Sequence, residues 1–222
     1  MSDQPNEPLT LTAIQRRILG VLIEKGFTTP DQYPLSINAI LSGCNQKSNR
    51  DPVVNYTEGD VAIVGQEVIR KGLAKLADTS SGARVNRFEH CVAARCGWAP
   101  REQAVLAELL LRGPQTVGEL RTRAARMMAM PDLPYVQGIL DELESREPPL
   151  VVALPRQPGR AAIRYAHTLY PDDEDSRLTP VDAPTLVTAP PPSIDGSVTA
   201  RLDELEQRIA ALENKLDSLA GS

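Results

Sequence analysis

Catalysis and metal binding need nucleophiles, bases or ligands that a fold can bring together, and this chain carries few. There are two histidines, His90 and His167, and three cysteines, Cys44, Cys91 and Cys96. The run HCVAARC holds His90, Cys91 and Cys96, with Cys44 far off in sequence. It lacks the two-residue gap common in zinc sites and would need a distant fourth ligand, so the residues read as ordinary half-buried side chains and no metal is assigned. No Ser, Cys or Lys stands in a nucleophile motif, and no glycine-rich phosphate loop occurs. The sequence therefore predicts no enzyme, no catalytic residue and no cofactor.

Residues suited to binding are more plentiful. The stretch CNQKSNRDPVVNYTEGD sets Asn45, Gln46, Lys47, Ser48, Asn49 and Arg50 in an unbroken polar row between two helical segments. Just past a helix end, Asn45, Asn49 and Asp51 are suited to satisfying orphan backbone groups, whereas Gln46, Lys47 and Arg50 are candidates for surface contact. Further cations gather at Arg84 and Arg87, at Arg121, Arg123 and Arg126, and at Arg156 and Arg160. Such a set could hold phosphates without reading base sequence, although any single arginine is more often a solvated surface charge.

The elements that must position these residues come in a repeated order. Thr12 and Gln15 form a capping box for a helix over 11–26, with Ile14, Ile18, Val21 and Leu22 on one face and Gly26 as its stop. A second helix runs from Ser36 to about Asn45. Thr57 and Asp60 cap a third, which ends at Gly72, and strands at 73–77 and 85–90 follow. Residues 99–168 repeat the plan. APREQAVLAELLLRG matches TAIQRRILGVLIEKG at an offset of 87 residues, Thr116 with Glu119 and then Asp132 cap the next two helices, and LVVAL and AAIRYA flank PRQPGR as a second hairpin. Three helices closed by a hairpin is the plan of a winged helix, and agreement between two copies strengthens it.

The tail is different. Residues 171–197 are acidic and proline-rich and read as a linker, and 1–8 as a disordered N-terminus. Val198, Leu202, Leu205, Ile209, Leu212, Leu216 and Leu219 then fall on the a and d positions of a heptad repeat. With Arg201, Arg208 and Lys215 at g and Glu206 and Glu213 at e, a parallel homodimer sets Arg201 against Glu206 and Arg208 against Glu213; a surface helix on its own chain is the plainer alternative. The predicted fold is thus mainly α with small β-hairpins (α+β): tandem winged-helix domains at 9–98 and 99–170, joined by the linker to a coiled-coil helix at 198–222.

Charge is unevenly spread. Residues 9–100 carry 11 Lys and Arg against 8 Asp and Glu, 101–170 carry 9 against 8, and 171–222 carry 4 against 11. The globular part is slightly basic, which neither requires nor excludes nucleic acid. Apolar runs are too short to span a membrane, the N-terminus lacks the plan of a signal peptide, and three cysteines do not form a disulfide framework. A cytoplasmic protein with no membrane partner is expected.

The segments LTAIQRRILGVLIEK, TTPDQYPLSINAILSGCNQKSNRDPV, LLLRGPQTVGELRTRAARM and REPPLVVALPRQPGRAAIRYAH strongly resemble the YceH family of bacterial proteins over residues 9–170. The resemblance implies a tandem winged-helix fold without an assigned activity, and it supplies no catalytic or ligand residues. Two functions stay open. In the first, nucleic acid, in the form of double-stranded DNA, is held by Arg121, Arg123, Arg126 and the wing arginines. In the second, the same folds hold a protein partner, a reading favoured by the acids of both third helices: Glu58, Asp60 and Glu67 against Arg70 and Lys71 in one, Asp132, Asp141, Glu142, Glu144 and Glu147 against Arg146 in the other. The first is placed slightly ahead, on the premise that each copy is a separate folded unit.

Overall fold

The computed structural model describes residues 9–77, 86–156 and 162–171. Its fold is mixed α+β, winged-helix-like in each half. The first half runs α1 (Ala13–Thr28), a 3-10 turn (Pro30–Gln32), β1 (Leu35–Ser36), α2 (Ile37–Cys44), α3 (Glu58–Arg70), β2 (Ala74–Leu76) and β3 (Arg87–His90). A short α4 (Val92–Cys96) leads into the second: α5 (Pro100–Arg112), β4 (Gln115–Thr116), α6 (Val117–Ala124), α7 (Leu133–Glu144), β5 (Val151–Ala153) and β6 (Arg164–His167).

Local signals account for most helix ends. The Thr12, Thr57 and Thr116 capping boxes all form, and the Ser36 and Asp132 side chains accept from backbone N–H groups three residues on. Gly72 and Gly113 adopt positive φ just past α3 and α5, where a side chain would be strained. Gly26 does not stop α1, which continues to Thr28. A Cβ there would make only ordinary contact, 3.4 Å from His90 Nε2, so neither helix termination nor packing requires glycine at this position.

Each hairpin gains a third strand that alternation could not signal, because it is only two residues long. The sheets are antiparallel, in the orders β1-β3-β2 and β4-β6-β5, with Leu35 opposite Phe88 and Gln115 opposite Tyr165. Ser36 and Thr116 therefore serve twice, as the last strand residue and as the N-cap of the next helix.

The core does not divide between the halves. α1 packs on α5 more extensively than any other pair of elements, and one cluster of buried residues runs from Leu11 to Leu169. Both helices are buried around their whole circumference from Gln15 to Glu24 and from Glu102 to Leu111, so the one-sided face expected for α1 gives way to a central helix. Gly20 permits the approach: a Cβ there would meet Leu111 Cγ and Cδ2 at 2.9 Å. Backbone bonds from Leu11 N to Leu169 O and from Asp51 N to Leu111 O, both 3.0 Å, also join the halves. A hairpin follows each helical trio, but the premise of two separate cores is replaced by one shared core. Among the described residues no helix is long and apolar enough to cross a membrane. The heptad residues Val198 to Leu219, and Arg84 and Arg160, lie outside the described residues.

Candidate interaction surface

The polar row after α2 is a clasp. Asn45 closes the loop to α3 through both ends of its amide: Nδ2 donates to Tyr56 O and Oδ1 accepts from Tyr56 N, each at 2.9 Å. Arg50, predicted to face a partner, is instead drawn inside, its side chain fully buried. Nε donates to Gly43 O at 2.9 Å, and the two terminal nitrogens donate to Glu24 Oε1 and Oε2 at 3.1 and 2.5 Å, to Asn49 O and to Gln46 Oε1. A guanidinium has five N–H donors in a fixed fork, and here all five are used. Gln46 is half-buried by that contact. Lys47 remains exposed.

Arg126 is committed in the same way. Its two terminal nitrogens bridge Glu24 of α1 and Glu108 of α5, carboxylates whose side chains are at most 2% exposed. Burial alone would push the Glu24 carboxyl up, but hydrogen bonds and charge from Arg50 and Arg126 outweigh it and hold the group below its ordinary range. The same pairing raises Arg126 against its own desolvation. Buried Glu24, Arg50 and Glu108, with Arg126, whose side chain is 27% exposed, thus form an ionic seam between the halves. Sequence reading missed it because it joins residues up to 102 positions apart; the one available signal is an acid set within an apolar run in each helix, Glu24 in VLIEK and Glu108 in VLAELLL.

The other arginines divide. Arg123 donates to Gln115 Oε1 at 2.8 Å and pairs with Glu119 at 3.1 Å, and Arg87 donates to Pro34 O at 2.9 Å. Arg121 is exposed, with one bond to Pro131 O, and Arg156 is exposed at the edge of the second hairpin. The predicted contact set is therefore not assembled as one cationic surface: its two best-bonded members fasten the core.

The third helices show what is exposed in its place. On α3, Ile63 is 66% exposed, and Glu58 and Asp60 are exposed at the N-terminal end. On α7, Leu133 and Tyr135 are 50% and 36% exposed, near Asp132 and ahead of Asp141 and Glu142. Ion pairs remove little of this charge: Glu142 is paired with Arg101 at 2.8 Å, while α7 itself contains no Lys or Arg. Each face sets exposed apolar surface beside carboxylates, one side chain on α3 and two on α7.

Groups that could support reaction chemistry are held neutral. Burial pushes the Cys44 thiol up to about 12 and lowers His90. Burial, with Arg16 nearby, lowers His167 to about 3. Among the described residues no three His, Cys, Asp or Glu side chains are grouped to hold a metal ion.

Residues 11–160 match the family described as "Protein of unknown function, DUF480". A UPF0502 protein of Geotalea daltonii is 54% identical over 158 residues, covering 71% of this chain and 72% of its own. UPF0502 proteins of Geobacter sulfurreducens and of Azoarcus are 44% and 40% identical over 211 and 215 residues, covering 95% and 97% of this chain and 90% and 92% of theirs.

Proposed function

We propose that this chain, which belongs to the DUF480 family of bacterial proteins of unknown function, is a non-enzymatic adaptor that holds a protein partner on the exposed faces of α3 and α7. The observation that carries this reading is the pairing of exposed apolar side chains, Ile63 on one helix and Leu133 and Tyr135 on the other, with carboxylates. Phosphate backbones are repelled by such a face, whereas a protein segment presenting an apolar side chain flanked by Lys or Arg complements it. The partner is thus a basic, amphipathic protein surface. Parallel pairing through the heptads of 198–222 would present two such bodies together in a cytoplasmic homodimer.

The DNA reading keeps Lys47, Arg87, Arg121 and Arg156 as exposed cations, while the exposed Arg126 is tied to Glu24 and Glu108, a smaller set than sequence alone suggested. A nuclease-treated affinity capture at low salt, run in parallel with anisotropy on mixed-sequence duplex, separates the two. The adaptor reading expects one stoichiometric partner, lost in Ile63→Arg and Tyr135→Arg and kept in Arg121→Ala with Arg156→Ala. A salt-sensitive duplex signal abolished by the arginine substitutions, with no partner recovered, would replace it by DNA binding.

A further inference from the structure

We propose that a cleft between the two repeats binds a small organic anion with an apolar body, carried as a carboxylate or phosphate. The cleft encloses about 870 Å³, a size usual for small-molecule sites. Its floor is apolar: Leu73 and Trp98 come from the first half, Leu150 and Leu169 from the second, and all four are less than a tenth exposed. The rim is cationic, with Arg70 and Lys71 from the end of α3, Arg95 from α4 and Arg146 from the turn after α7. Glu147 is the one carboxylate among the lining residues.

The four cations do not have the same work. Arg146 builds the wall: it donates to both Glu102 oxygens at 2.7 and 2.8 Å and to the carbonyls of Cys96 and Gly97. Lys71 Nζ donates to Thr10 O at 3.1 Å. Arg70 makes only a 3.8 Å contact with Glu67, and its side chain is 72% exposed. Arg95 is exposed, and its stem lies against the turn at Gly72, where φ is +71° and a Cβ would come within 3.4 Å of Arg95 Cδ.

Helix C-termini favour cations by themselves, and that accounts for positive charge after α3 and α4. It does not account for open volume over an apolar floor directly beneath that charge. Two guanidinium groups, Arg70 and Arg95, that share a cleft lining with Leu73 and Trp98 match a ligand with an acidic head and a hydrocarbon or aromatic body. A bound ligand touches both halves and holds them together.

Trp98 is the only tryptophan in the chain, so its emission reports on the cleft. The experiment titrates the full-length protein with octanoate, and with 1-octanol as the uncharged control, following Trp98 fluorescence and the melting temperature. A saturable emission change and a rise in melting temperature with octanoate are expected, with 1-octanol about tenfold weaker. Arg70→Gln combined with Arg95→Gln, both at exposed positions, should keep the unliganded melting temperature and weaken octanoate about tenfold. No saturable change into the low-millimolar range, equal affinity for 1-octanol, or unaltered affinity in the double variant would overturn the assignment. No partner protein is involved, so this outcome is independent of the adaptor reading.

Discussion

Arg50 carries more of the structure than any other member of the polar row. Arg50→Ala leaves Glu24 buried with Arg126 as its remaining partner, so the cost stays below about 3 to 5 kcal/mol, the range for an uncompensated buried charge. The loss should appear as a lower urea midpoint, and Arg50→Lys should recover only part of it because an ammonium cannot reproduce the fork. His167 gives a pH signature. Its Nδ1 accepts from Leu169 N at 3.2 Å, its ring stacks on Tyr170 at 4.1 Å, and it titrates near 3 against an ordinary 6.5. The unfolded chain takes up this proton first. The contribution is therefore complete above pH 6.5 and is lost progressively as pH falls from 6.5 towards 3. His167→Asn, which keeps an acceptor for Leu169, should flatten the upper part of the acid stability profile. The part below about pH 4.5, set by the depressed Glu24 carboxyl, should persist.

At the scale of elements, the decisive contact is α1 against α5. Gly20→Val places a branched side chain where Leu111 already lies within 2.9 Å of a Cβ, and overpacking of this kind costs about 1 to 3 kcal/mol by denaturant unfolding. Thr57→Ala removes the acceptor for Asp60 N and should cost about 1 kcal/mol. Ile63→Arg, on the exposed side of the same helix, should change stability by less than about 0.5 kcal/mol while abolishing partner capture. The caps of these helices were legible because capping is decided within four residues. β1 and β4 were not, because a two-residue strand acquires its identity only from the partner strand that reaches it.

For the whole molecule, a continuous core means the repeats depend on each other. Thermal unfolding followed by Trp98 emission and by far-ultraviolet circular dichroism should give coincident transitions, and two separated transitions would show independent halves. Assembly is a separate matter: deleting residues 198–222 should halve the mass measured by light scattering. An unchanged mass would assign any self-association to the globular body.

The order of three helices and a hairpin in each half, most helix ends and the repeat itself were determined by the amino-acid sequence alone. Threonine caps, terminal glycines and apolar spacing act over one or two turns, so Thr12, Thr116 and Gly113 could be read without knowing what lay beyond them. Which charges face outward was decided only by tertiary structure. Arg126 and Arg121 are of one type, five residues apart and both reach the surface, yet one is tied to buried Glu24 across the repeat boundary while the other bonds only Pro131 O. A guanidinium's fate depends on which carboxylates the folded chain brings to it, and that distance is set by the packing of α1 on α5.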